Sequence, residues 1–71
     1  RRGDASGAHT VFKQAAGKHP DTWFVLEGLG MACERLGRTD EALRHFEQAE
    51  TLVDNDQGRA RIEAGLARLR G

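Results

Sequence analysis

Laid against itself at an offset of 34 residues, the chain places Ala8 on Ala42, Phe12 on Phe46 and Ala15 on Ala49. The same offset puts Gln14 on Gln48, Gly3 on Gly37, Gly37 on Gly71, Cys33 on Ala67 and Gly30 on Ala64. Each copy carries Ala, Phe and Ala at steps of four and three, which is the spacing of one helix face. A period of this length holds a single helical hairpin. Such a hairpin cannot bury both its faces alone, so it must stack on its neighbours. The chain is therefore expected to be all-α, with about four helices packed as antiparallel hairpins.

Leu29 to Ala49 forms the central hairpin of that arrangement. Leu29, Gly30, Cys33 and Leu36 line one helix face, and Ala42, Phe46 and Ala49 line the next. Gly37 and Arg38 break the pattern between them. Small residues among large ones let the two helices approach closely.

The elements follow in order. Residues 4–16 place Ala5, Ala8, Val11, Phe12, Ala15 and Ala16 at helical spacing, with Gly17 as the stop and Pro20 beyond it. Asp21 or Thr22 is placed to cap a second helix running through Trp23, Leu26, Leu29, Cys33 and Leu36. Gly28 and Gly30 inside it each cost about 1 kcal/mol relative to Ala. Close packing accounts for Gly30, whereas Gly28 has no comparable account. Thr39 is the expected cap of a third helix, whose stripe is Ala42, Leu43, Phe46, Ala49 and Leu52 or Val53. The polar run from Asp54 to Gly58 is a loop with several candidate caps. A fourth helix carries Ala60, Ile62, Ala64, Leu66, Ala67 and Leu69.

Seventy-one residues make one domain. A domain of this size buries only about 60% of the surface its unfolded chain exposes. Net charge is zero, which argues against nucleic acid or an anionic membrane as partner. The charge is nonetheless segregated, with basic ends flanking an acidic middle. Cys33 is the only cysteine, so no internal disulfide forms, which suits a reducing compartment such as the cytoplasm. No apolar run reaches the roughly 18 residues of a membrane span, and no signal peptide opens the chain. It begins at Arg1 rather than Met and reads as a fragment. Nine of the eleven Lys and Arg are arginine, a usage common in GC-rich bacterial genomes.

The 34-residue offset resembles the tetratricopeptide repeat (TPR). Leu29-Gly30 matches the Leu-Gly pair of that family's first helix, Ala32 the small residue two further on, and Gly37 the turn glycine. Glu41-Ala42, Phe46 and Ala49 match the second helix. Pro20 matches the closing proline of a preceding unit that supplies Ala8, Phe12 and Ala15. Some positions depart from the motif: Leu26 stands at the tryptophan, Cys33 at the aromatic and Asp54 at the closing proline. The resemblance implies an α-solenoid. Its units are a second helix of a partial repeat over 4–16, one complete repeat over 21–54, and a capping helix or start of the next repeat over 56–70.

Chemistry-bearing residues are few. Cys33 lies on a packing face with no second cysteine near it. His9, His19 and His45 sit on three segments without metal-ligand spacing. The run Glu27-Gly28-Leu29-Gly30 lacks the Gly-x-Gly-x-x-Gly spacing of a phosphate loop. No nucleophile has a base and an orienting group beside it. Neither a catalytic residue, a metal site nor a cofactor site is expected.

Phe24, Glu27, Met31, Glu34 and Arg35 fall off the packing stripe of the second helix. The resemblance implies that this side lines a concave groove that holds partner peptides. The same side of the last helix would show Arg61 and Arg68, with Gly65 between them. Chaperone-binding members of the family clamp a C-terminal carboxylate with Lys and Asn. Glu27 and Met31 hold the corresponding places here, so that clamp is not expected. Arg59, Arg61, Arg68 and Arg70 are expected to pair with Glu47, Glu50 and Asp54 or with a partner. Three functions follow in order of preference. The first is a non-catalytic scaffold for a peptide or partner helix. The second is a self-association module joined through the uncovered first helix, and the third is a small helical DNA-binding domain.

Overall fold

A computed structural model of the chain describes the backbone from Asp4 and the side chains from Ser6 to Gly71. Gly3 and the side chain of Ala5, both used above, lie outside the described residues. Four helices follow one another: α1 (Asp4–Lys18), α2 (Trp23–Arg35), α3 (Thr39–Leu52) and α4 (Asp56–Arg70). No strand occurs among the described residues, and the fold is all-α as expected. α2 packs on both α1 and α3, and α4 packs on α3 and touches α2.

The ends of the helices are set by local chemistry. α1 runs through Gly17 to Lys18 rather than stopping at residue 16, and the His19 N–H still donates to the Ala15 carbonyl at 2.7 Å. Pro20 is the real break, because the helical region is disfavoured for the residue before a proline. Thr22 holds the N-cap position of α2, but its side chain makes no capping bond. At the end of α2, Gly37 adopts φ +80°. The Gly37 N–H donates to the Glu34 carbonyl (3.1 Å) and the Arg38 N–H to that of Cys33 (2.9 Å). This pairing is a Schellman motif, in which glycine takes the left-handed position at no steric cost.

Arg38 then opens the next helix, its carbonyl accepting from the Ala42 N–H at 2.9 Å. With one residue both closing α2 and starting α3, Thr39 becomes the first helical residue rather than the cap. Before α4 the cap is Asn55, whose side-chain oxygen accepts from the Gly58 N–H at 2.7 Å.

The core gathers Leu26, Cys33, Ala42, Phe46, Ala49, Val53, Ile62 and Leu66, with Trp23, Leu43 and Leu69 packed against them. Phe46 is its centre. A Cβ on Gly30 would stand 3.1 Å from the Phe46 ring, and one on Gly65 2.8 Å from it. These two glycines let α2 and α4 close on α3. Gly28 also has its reason: a Cβ there would lie 2.5 Å from the Phe12 ring, so Gly28 seats α1 on α2. Of the alternatives at the end of α3, Val53 turns inward and Leu52 outward. In α4 the buried face is Ile62, Gly65 and Leu66, with Leu69 half-buried, while Ala60, Ala64 and Ala67 are exposed. Spacings of three and four from Ile62 select that face, and the alanines fall on other arcs of the helix.

Only one side of α1 is covered. Phe12 is half-buried against α2, whereas Val11 is 63% exposed. α1 and α3 stay apart, leaving a cleft floored by Leu26 and Leu29 and bordered by Lys13 and His45.

Candidate binding face

Glu27, Met31 and Glu34 follow one another at steps of four and three along α2, on the edge that meets α4. Arg61 and Arg68 stand two turns apart on the facing edge of α4. Arg61 reaches Glu27 through Nε at 3.3 Å, and its guanidinium lies 5.9 Å from the centre of the Trp23 ring. Glu27 is buried, although it lies off the apolar stripe of α2. A carboxylate taken out of water needs a partner, and Arg61 supplies it. Arg68 grips Glu34 with two parallel bonds, Nε to Oε2 at 2.9 Å and Nη2 to Oε1 at 2.8 Å. Forked pairs of this kind are the stronger form of Arg–carboxylate contact. The hydrogen bonds from Arg68 hold the Glu34 carboxyl below its usual range, against a smaller opposing effect of burial.

A depression of about 320 Å³ opens between these pairs, lined by Glu27, Met31, Phe46, Arg61, Ala64 and Arg68. Of the eight residues that the sequence placed on this face, the structure brings five together: Glu27, Met31, Glu34, Arg61 and Arg68. Phe24 stands apart, beyond the end of the depression, edge-on to Trp23 with ring centres 5.7 Å apart. Phe24 and Met31 are both exposed, at 57% and 43%. Arg35 is exposed but does not line the depression, and Gly65 lies beneath Phe46 rather than at the surface. Trp23, Ala64 and the edge of Phe46 were not singled out as part of this face. Trp23 is four residues before Glu27, so helical spacing alone would have placed it beside that carboxylate.

The arginines of α4 are engaged differently from the expectation. Arg70 does pair with Glu47, at 2.9 Å. Arg61 and Arg68 pair instead with Glu27 and Glu34, because their shared edge runs along α2 and not along the acidic face of α3. Three of the four arginines are thus bound to carboxylates of this chain.

Cys33 is fully buried in the core, and burial pushes its thiol pKa up. His45 is half-buried at the α1–α3 cleft, its Nδ1 shielded from water without a hydrogen-bond partner, and burial pushes its pKa down. Among the described residues, no cluster of three or more His, Cys, Asp or Glu is arranged to hold a metal ion. Nor is any described helix long and apolar enough to cross a membrane.

A family model described as a tetratricopeptide repeat matches residues 4–55. The chain belongs to the tetratricopeptide repeat family. The match takes in α1, α2 and α3 and ends at the cap of α4. No curated protein and no solved structure matches the chain. Tetratricopeptide repeats are a non-catalytic scaffold type that generally mediates contacts between proteins.

Proposed function

We propose that this tetratricopeptide repeat chain is a non-catalytic scaffold that holds a peptide or partner helix on the α2–α4 face. The observation that carries the reading is the depression beside Met31. It has an apolar floor, an exposed Met31 and a pair of Arg–Glu bridges at its rim. Exposed apolar side chains ringed by polar groups are the usual make-up of a protein contact site. The face holds no nucleophile with a base beside it, so binding rather than chemistry is its role. α2 and α3 constitute the complete repeat, α1 belongs to a partial one, and α4 is a capping helix or the start of the next repeat.

The test uses peptides selected from a random library on the wild-type chain. Met31→Ala should abolish their binding and Phe24→Ala, beyond the end of the depression, should only weaken it, with helicity intact in both because both side chains are exposed. Binding that survives both substitutions sinks the assignment of this face.

A second reading, self-association through α1, is favoured by Val11, which is the most exposed large apolar side chain described. Sedimentation over the micromolar range separates the two. A strict monomer at every concentration removes self-association and leaves the first reading untouched.

A further inference from the structure

Both ion pairs of the α2–α4 face are layered in the same order, carboxylate within and guanidinium without. The Glu27 and Glu34 side chains are 11% and 26% exposed, against 63% and 55% for Arg61 and Arg68. A guanidinium has about five N–H donors and no acceptor. Arg68 commits Nε and Nη2 to Glu34, which leaves its other terminal nitrogen outside the fork. Arg61 comes nearest to Glu27 through Nε, at 3.3 Å, with its side chain 63% exposed. An incoming group therefore meets cationic donors first, with the acidic charge behind them.

The spacing of these donors selects the shape of the occupant. Arg61 and Arg68 are seven residues apart, two turns or about 10.5 Å along α4. Two carboxylates on a helix match that distance when they too are seven residues apart. An extended peptide matches it poorly. Three residues of strand span about 10 Å, but an odd separation puts the two side chains on opposite faces, and even separations give about 7 or 13 Å. Between the arginines lie Met31, Ala64 and the edge of Phe46, which suit one bulky apolar side chain.

We propose that the occupant of this face is an acidic amphipathic helix. Two carboxylates seven residues apart meet Arg61 and Arg68, and an apolar residue midway between them seats against Met31 and Ala64. This rests on the reading of the face as a partner site and adds the chemistry of the partner. A basic helix is repelled, and a neutral one keeps only the apolar contact.

Met31 is the only methionine, so a chain labelled at methionine methyl carbon gives one signal at the centre of the face. The probes are short stapled helices with Leu midway between two glutamates, two glutamines or two lysines at i and i+7. The glutamate helix should shift the Met31 signal and bind about five- to tenfold tighter than the glutamine helix, because exposed ion pairs contribute little each. That margin should shrink at high salt. Paired substitution Glu34→Gln with Arg68→Gln, which removes one pair without stranding a charge, should reduce the preference for glutamate by severalfold. A thermal melt confirms that this variant is folded. Equal binding of the glutamate and glutamine helices overturns the acidic preference and leaves the partner face standing. Tighter binding of the lysine helix does the same. If no helix moves the Met31 signal at millimolar concentration, the partner face itself falls, and the inference falls with it.

Discussion

The ring of Phe46 in α3 lies against Gly30 of α2 so closely that a methyl group at Gly30 would stand 3.1 Å from it. Gly65 of α4 closes on the same ring, with a methyl there 2.8 Å away. One fully buried aromatic therefore sets the approach of three helices. The position of α4 over the α2–α4 face depends on both glycines, because α4 carries Arg61 and Arg68 to Glu27 and Glu34.

The two glycines should respond unequally to alanine. Each substitution gains about 1 kcal/mol of helix propensity. At Gly30 the ring need only yield a few tenths of an ångström, so Gly30→Ala should change stability by less than about 1 kcal/mol. At Gly65 the overlap is larger, and Gly65→Ala should destabilise by about 1–3 kcal/mol. In the double variant the ring cannot relieve one contact without tightening the other. Urea denaturation should therefore show a loss greater than the sum of the single effects, as expected for residues sharing a partner. Simple additivity would mean that the ring has a third position open to it.

Gly28→Ala tests the seat of α1. The added methyl would fall 2.5 Å from the Phe12 ring, and Phe12 is only half-buried, so the ring is the group that moves. Among the described residues α1 packs on α2 alone, hence the displacement should be local. Hydrogen exchange should quicken in α1, by about 1–2 kcal/mol of opening free energy, with α2 to α4 protected as before. Uniform loss of protection along the chain would show that α1 is part of one cooperative unit with the rest.

Periodicity made the four helices and the core stripe legible, since Ala42, Phe46 and Ala49 repeat Ala8, Phe12 and Ala15. The same spacing placed Glu27, Met31 and Glu34 on one edge of α2. What it left open depends on contacts between segments. Gly28 had no account from α2 alone, because its neighbour is Phe12 of another helix. The partners of Arg61 and Arg68 depend on which way α4 leans, and composition favoured the acidic α3. Thr39 looked like a cap, but Arg38 was already closing the helix before it. Asn55 was one of several polar residues in its loop, and only the backbone conformation distinguishes it from Asp54 and Asp56.

Cys33 should behave as a core residue in its chemistry. Its side chain is fully buried, and burial raises the thiol pKa, with the nearby Glu41 charge adding to the effect and Arg38 opposing it. The thiolate that attacks disulfide reagents is therefore scarce as well as covered. In native buffer the thiol should react with an aromatic disulfide on the order of a thousandfold more slowly than in the unfolded chain. The rate should rise with urea in step with global unfolding. Fast labelling of the folded chain would mean that α2 and α3 part without unfolding.

Acid should weaken the fold in two stages, for two different residues. Burial lowers the pKa of His45 below its ordinary value of about 6.5. The unfolded chain therefore binds the proton first, and stability present above about pH 6.5 is lost as pH falls toward the folded value. Around His45 stand Glu41 and Arg44 on its own helix, with His9 and Lys13 on α1 across the cleft, while α2 offers the apolar Leu26 and Leu29. The Gln48 side chain and Glu41 relieve the penalty of burial, whereas Arg44 adds to it. Glu34 acts lower: Arg68 depresses its pKa below about 4.5, so the stability it contributes is present above that pH and lost as pH falls through the folded value. Urea midpoints should decline gently as pH falls below about 6.5 and again below about 4.5. His45→Gln should flatten the first decline and leave the second, and Glu34→Gln should do the reverse. A first decline that persists unchanged in His45→Gln would overturn its assignment to His45.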